Sequence, residues 1–388
     1  MAITKVNKVN SVANGRLVLT IIQSTHASLG GFKETGLFER HVRLLQEYAK
    51  TFDVVVYSSD SIDYSIELGV THKPVPWLPK AFGWRHLIYY LWLVWQAPHM
   101  RGVIKVVGSS IPTLFFVKWL SRCPMMVTYQ LNYAEAMRGS ERNPVKRLLG
   151  PLLERLALTP ADLVSVTAEW LGDRVKTIYR KPIVLLPNWV DLSSMGLEKP
   201  GIERSENLIL YAGRLHWLKG VNVLIDAFAR VKVSHPHTRL VICGTGEEAD
   251  KLSAHVRALG VTDVEFRGRV SNAQVLQLMR SSAIFVLPTI TMEGHPKALI
   301  EAMVCGMGCI VSNVPGNREI IMDGQNGLIV PPGDADFLAK KLRMLLEDQN
   351  LCTQLGQKAM EDTAQFDFCQ VVSSEIHILV CLLRGTVQ

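Results

Sequence analysis

"RLVLTIIQSTHASLGGFKETGLFERHVRLLQEYAK", residues 16–50, decides the fold of the first half of the chain. Its short, mainly apolar run over 16–25 is the pattern of a strand buried on both faces of a parallel sheet. A polar loop with three glycines follows, then a helical pattern over 37–50. Strand, glycine loop and helix together form the opening unit of a doubly wound α/β sheet.

The same rhythm recurs along the chain. "DVVVYSS" (53–59), "GVIKVVG" (102–108), "MMVTYQ" (125–130), "LVSVTA" (163–168) and "IVLLPN" (183–188) read as further strands of the first sheet. "NLILYAG" (207–213), "RLVICGTG" (239–246), "VEFRGRV" (264–270), "AIFVLPT" (283–289) and "GCIVSNVPG" (308–316) restart the pattern. Between the two series, "LLPNWVDLSSMGLEKPGIERSEN" loses apolar periodicity and collects Pro, Gly, Ser and charge, as a linker does. The expected fold is therefore α/β, with two Rossmann-like doubly wound domains facing a central cleft where ligands of open α/β sheets bind. The domains are expected at 1–189 and 190–369. A chain of 388 residues with 48% hydrophobic content is long enough for two cores.

The seven cysteines lack paired metal-ligand spacing, so neither a zinc site nor a disulfide framework is expected, and a reducing cytosol fits best. The apolar stretch "LIYYLWLVW" (87–95) covers under half of the roughly 20 residues that a spanning helix needs. Residues 1–200 carry 24 Lys and Arg against 15 Asp and Glu, whereas the remainder carries 18 against 20. The basicity thus belongs to the first half. It suits an anionic acceptor, an anionic membrane surface or nucleic acid without choosing among them. Neither basic-helix base readers nor stacking motifs are present, so no nucleic-acid partner is expected.

Three groups of residues carry chemistry. "YAGRLHWLKGVNVLIDAFA" (211–229) sets Arg214 and Lys219 after a strand and before an amphipathic helix, where a diphosphate would meet a planar fork of donors and a mobile ammonium. "PTITMEGHPKALIEAM" (288–303) reads as strand end, loop and a helix starting near Pro296, a residue tolerated in a first turn. The amides of Lys297, Ala298 and Leu299 are then expected to be free for phosphate. Glu293 precedes this helix and Glu301 lies within it, where a carboxylate can accept from a vicinal diol such as ribose. Spacing alone leaves open that Glu293 caps the loop and Glu301 is an ordinary helix-surface acid. The D-x-D spacing of Asp334 and Asp336 in "GDADF" reads as a turn and helix cap, because "VPPG" precedes it and an amphipathic helix follows. No metal site is expected.

"GRLHWLKG", "EGHPKALIEAM", "VEFRGRV", "PNWVD" and "GNREIIMDGQNGLIVPPGD" in this order resemble the retaining nucleotide-sugar glycosyltransferases of the GT-B fold, specifically glycosyltransferase family four. The likeness spans nearly all of 16–370 and is weakest over 60–125. It implies that Glu293 lies beside the transferred sugar, that Glu301 binds the ribose hydroxyls, and that Arg214 and Lys219 hold the donor diphosphate. It further implies close backbone approach at Gly30 and Gly31, a nucleobase near Arg269 and Val270, and donor contacts along His295, Pro296, Lys297, Ala298 and Leu299. A terminal helix over about 370–388 would cross back onto the first domain. Two positions depart from the family pattern: Gln130 stands where a histidine is common on the sugar side, and "EGHP" stands where "EGFG" is common.

The resemblance implies transfer of a hexose-type sugar from a UDP- or GDP-type donor to a hydroxyl of a lipid-linked or cell-surface glycan. The nucleotide sugar is a substrate, and no cofactor is implied. A sugar-nucleotide epimerase of the same architecture, or a non-catalytic nucleotide-binding module, is the competing reading. The tryptophans 77, 84, 92, 95 and 119, among Lys80, Arg85, Arg101 and Lys105, suit peripheral contact with the cytoplasmic face of an anionic membrane. Apolar stripes more often signal packing, and by that rule 143–158 is a core helix with 87–95 as its neighbour.

Overall fold

The computed structural model describes residues 12–13, 16–23, 29, 32–33, 38–76, 82–108, 113–130, 144–193, 195 and 204–386. Strand β2 (Arg16–Gln23) has six consecutive buried positions, which is why its sequence is mostly apolar without alternation, Thr20 and Gln23 being buried polar residues. The short β1 (Val12–Ala13) pairs with it antiparallel. Every other pairing in this sheet is parallel, among β3 (Phe52–Tyr57), β4 (Thr71–Lys73), β5 (Val103–Val107), β6 (Met125–Tyr129), β7 (Leu163–Val166) and β8 (Ile183–Leu185). The order is β4-β3-β2-β5-β6-β7-β8. The winding direction therefore reverses between β2 and β5.

A second sheet runs β11-β10-β9-β12-β13-β14 and is parallel throughout. Its strands are β9 (Ser205–Ala212), β10 (Arg239–Cys243), β11 (Val264–Gly268), β12 (Ser282–Leu287), β13 (Gly308–Ser312) and β14 (Leu328–Val330). This is the doubly wound order, with its switch point between β9 and β12. Helices Val221–Lys232 and Ala335–Glu347 lend buried apolar faces to the core between them and the sheet. β1, β4 and β14 are strands that the sequence reading did not find. At two or three residues each, they are too short to show a period.

The chain divides into two compact units. The first comprises the residues up to Val166, Leu171–Leu186 and the segment from Val372 onward, and the second comprises Thr167–Trp170 and Pro187–Val371. The linear boundary thus falls a few residues before 190, and four residues of the 167–170 stretch count with the second unit.

Helix Phe368–Arg384 enters the first unit at Val372 and is held there by a buried polar cluster. Lys105 Nζ donates to Tyr48 Oη at 2.6 Å and pairs with Glu375 Oε1 at 2.5 Å, while Tyr48 Oη donates to Glu375 Oε2 at 2.5 Å. All three are less than 10% exposed. Burial first, and then the carboxylate of Glu375, raise the Tyr48 phenol well above its ordinary range, so it stays a donor. Lys105, which the sequence reading put among surface cations, is therefore an interior residue. Trp92 also turns inward, against the rings of Tyr57 and Tyr89. Trp77 and Lys80, and the side chains of Trp84 and Arg85, lie outside the described residues. No helix among the described residues is long and apolar enough to cross a membrane.

Candidate functional site

Strand β9 ends at Ala212, and the chain then passes through Gly213, Arg214 and a short 3-10 turn, Trp217–Lys219, into helix Val221–Lys232. Gly220 makes the turn possible. Its φ is +63°, and a Cβ there would sit 2.1 Å from the carbonyl oxygen of Pro288. The amide of Ile290 donates to Leu218 O at 2.8 Å, closing the turn onto the segment that leaves β12. This approach carries Lys219 to Glu293, whose Oε1 accepts from the Lys219 ammonium and, at 2.8 Å, from the Thr289 hydroxyl. Glu293 is 7% exposed, and among the described residues no partner reaches its Oε2. Gly316 shapes the far side of the same loop, since a Cβ there would lie 2.2 Å from Gly294 O and 2.4 Å from Glu293 O.

Arg214 is exposed, and its carbonyl accepts from Tyr211 Oη at 3.0 Å. The two cations and the glutamate act on shared neighbours. The His216 imidazole is pushed down by burial first, then by Arg214, with a smaller push from Lys219. The Tyr211 phenol is pushed up by burial first, then by Glu293. The structure therefore pairs Lys219 with Glu293 near the ends of β9 and β12, the switch point of the second sheet, with Arg214 in the same loop after β9. Thr289 and Tyr211, which hold two of them, were not found from sequence. A hydroxyl four residues before Glu293 carries no pattern of its own.

The helix begins at Lys297, with Pro296 as an extended N-cap residue (φ −74°, ψ 108°) and no side-chain cap. One expectation is corrected here. The Leu299 amide is not free, because it donates to Pro296 O at 3.1 Å, the close bond of a first turn built on a proline cap. The Lys297 ammonium lies 5.4 Å from the centre of the Trp189 ring. Glu301 is 8% exposed on the second turn, so it is not an ordinary helix-surface acid.

His295 is 7% exposed, and its ring meets Phe366 edge-on at 5.0 Å. Its carbonyl accepts from Asn188 Nδ2 at 2.6 Å, and its Nδ1 has no partner among the described residues. Burial, and secondarily the Lys297 ammonium, push this imidazole down to about 4. The folded form thus binds fewer protons than the unfolded form, so stability is fully present above about pH 6.5 and declines as pH falls toward 4. We expect the unfolding free energy to drop by about 3 kcal/mol across that window on account of His295. His295→Gln should remove that part of the slope in urea titrations at several pH values. His72, also pushed down chiefly by burial, contributes with the same sign and remains in the variant.

Arg269, Val270 and Gln130 belong to other strand ends. Arg269 and Val270 follow the edge strand β11, two strands from β9. Arg269 is exposed, and Val270 packs against the core. Gln130 is exposed at the end of β6 in the first unit. Gly30 and Gly31 lie outside the described residues, but their neighbour Leu29 is buried and its amide donates to Asp60 Oδ2 at 2.8 Å. Asp334 caps helix Ala335–Glu347 through the Phe337 amide at 2.8 Å, and Asp336 pairs with Arg230 at 3.0 Å. The D-x-D spacing is thus used for a cap and a surface ion pair.

The profile of the family described as "Glycosyl transferases group 1" matches residues 197–362, which contain this cluster. A phosphatidyl-myo-inositol mannosyltransferase of Mycolicibacterium smegmatis is 31% identical over 203 residues, half of each chain. A glycogen synthase of Mycobacterium tuberculosis is 30% identical over 269 residues, 68% of this chain and 64% of the relative. The chain spans about half the length of the first of these relatives and 64% of the second. Among solved structures, sucrose-phosphate synthase from Thermosynechococcus elongatus superposes with a TM-score of 0.77 over 95% of this chain and 100% of that one, at 19% identity. Anabaena HepE in complex with UDP and glucose gives 0.73 over 93% and 99%, at 17% identity. At such identity the likeness concerns the fold, which is GT-B. Over residues 197–362, this chain is similar to the glycosyl transferases group 1 family.

Proposed function

We propose that the protein is a retaining glycosyltransferase that moves a hexose-type sugar from a UDP- or GDP-type donor to a hydroxyl of a lipid-linked or cell-surface glycan, without a metal. The observation that carries this reading is the buried pairing of Lys219 with Glu293 at the switch point of the second sheet, in the loop that also carries Arg214. Two cations with separate reach suit a diphosphate. As the bond to the sugar breaks, charge grows on the leaving phosphate, and positioned cations stabilise that charge more than the ground state. Glu293 holds Lys219 in place through Oε1 and offers Oε2 to a sugar hydroxyl. Glu301 is assigned to the ribose diol. With no separate base assigned, the departing diphosphate takes the proton of the incoming hydroxyl, and the chain's own part is positioning. The first unit is assigned to the acceptor, with Gln130 on the sugar side. A lipid-linked acceptor would keep the enzyme peripherally at the cytoplasmic face of a membrane. Relatives named as sugar transferases, and a fold neighbour solved with UDP and glucose, support the reading.

Calorimetric titration with UDP and GDP, followed by a screen of the matching sugar nucleotides for transfer or hydrolysis, tests it. Glu301→Ala is expected to weaken nucleotide binding about tenfold, the value of one lost polar contact of about 1.4 kcal/mol. Glu293→Gln should retain nucleotide binding and lose about a hundredfold or more in kcat. Failure of both nucleotides to bind the unaltered protein would sink the reading. A new sugar nucleotide formed from donor alone would point to epimerisation instead.

A further inference from the structure

Three helices of the first unit pack side by side, Phe82–Gln96 against Leu114–Ser121 and the latter against Pro144–Leu158. Each turns one face inward. Tyr89 and Leu93 are buried on the first helix, Leu114 and Val117 on the second, and Ala157 and Leu158 on the third. The opposite faces, which in an ordinary packed layer would be polar, are apolar here. Leu87, Leu91 and Trp95 are spaced four apart on one stripe and are 47%, 60% and 67% exposed. Phe115, Phe116 and Trp119 stand 53–68% exposed on the neighbouring helix, and Leu152 and Leu156 about half exposed on the next. The expectation that these stripes signal core packing thus holds for only one face of each helix. Isolated exposed apolar side chains need no explanation, but eight on three adjoining helices form a surface with a purpose.

Charge identifies the occupant. The first two helices contain no Asp or Glu, and the single acid of the third, Glu154, is fully buried and bonded to Tyr129 and Arg174. Between residues 82 and 158 the chain carries ten Lys or Arg and three acids. Arg101, Arg122 and Arg155 are exposed around the apolar stripes. An apolar face with exposed tryptophans, a cationic surround and no exposed carboxylate on its helices matches an anionic lipid interface, where indole rings settle at headgroup level and arginines meet phosphate. The same face is poorly suited to a second copy of the chain, since two such surfaces would bring like charges together.

We propose that the outward faces of helices Phe82–Gln96, Leu114–Ser121 and Pro144–Leu158 form a docking surface for an anionic bilayer. It lies on the first unit, whereas Arg214, Lys219, Glu293 and Glu301 belong to the second, and it does not depend on which nucleotide is used.

The test is co-sedimentation of the full chain with vesicles of phosphatidylcholine alone and with about one-third phosphatidylglycerol. The unaltered protein should sediment with the anionic vesicles and be released by salt. Trp95→Ser with Trp119→Ser should lower the bound fraction about tenfold, and Leu91→Glu should do so separately. Nucleotide binding by the variants, measured calorimetrically, should stay at the unaltered level, and urea unfolding curves that match those of the unaltered protein show that the first unit is folded. Indifference of the unaltered protein to lipid charge would overturn the proposal, as would variants that bind vesicles normally. A dimer seen by light scattering that these substitutions dissociate would also overturn it, in favour of self-association. Lipid binding without binding of any nucleotide would support this surface while refuting the donor reading.

Discussion

Replacing Arg214 and Lys219 together by alanine is expected to lower kcat/KM for sugar transfer by about a hundredfold to ten-thousandfold. The figure follows from about 1.5–3 kcal/mol for each charge-assisted contact to the diphosphate. The two residues should differ in their effect on stability. Arg214 is exposed, and removing it should leave the melting temperature unchanged. Lys219 pairs with the buried Glu293, so Lys219→Ala strands a carboxylate and should cost about 1–3 kcal/mol. Adding Glu293→Gln to Lys219→Ala should recover most of that stability without recovering transfer. Steady-state kinetics beside thermal melts separate the two effects. A double variant that turns over normally would refute the assignment of the cations to the leaving group.

Lys105→Met is expected to destabilise the protein by about 3–5 kcal/mol, the usual result of removing one partner from a buried ion pair. The loss arises because Glu375, 7% exposed, would keep, among the described residues, only Tyr48 as a partner for its charge. Replacing both ends, Lys105→Met with Glu375→Leu, should restore much of the stability, because an apolar pair of similar volume has no charge to desolvate. Urea unfolding of the single and double variants measures this. A single variant within about 1 kcal/mol of the parent would show that the cluster does not secure the helix from Phe368.

The contrast between these two clusters shows what could be read in advance. The central strands were legible because burial on both faces makes their sequences predominantly apolar without alternation, as in Leu17 to Ile22, where Thr20 is the one polar residue. The 3-residue strand Thr71–Lys73 was not, since only its middle residue is buried. Arg214, Lys219, Glu293 and Glu301 could be named as candidates because each stands near a recognisable strand end or helix start. Their pairing was not, because Lys219 and Glu293 lie 74 residues apart and no local pattern records it. Lys105 was misread for the same reason: its partners sit on other elements, and a lysine inside a strand looks solvated until they are known. The outward faces of the three basic helices were hidden by the opposite ambiguity. An apolar stripe states that a side chain avoids water and leaves unstated whether protein or lipid receives it.

The division of the chain also has a consequence for biosynthesis. Tyr48 and the glutamate that accepts its hydroxyl are separated by 327 residues, and the whole of Pro187–Val371 is made between them. The unit begun first on the ribosome is therefore finished last, and until Glu375 emerges the lysine at 105 waits without its counter-charge. The unit that follows is nearly continuous in sequence and can acquire its core while still tethered. Arresting translation before residue 368 should accordingly leave a nascent chain whose later half resists protease and whose earlier half does not.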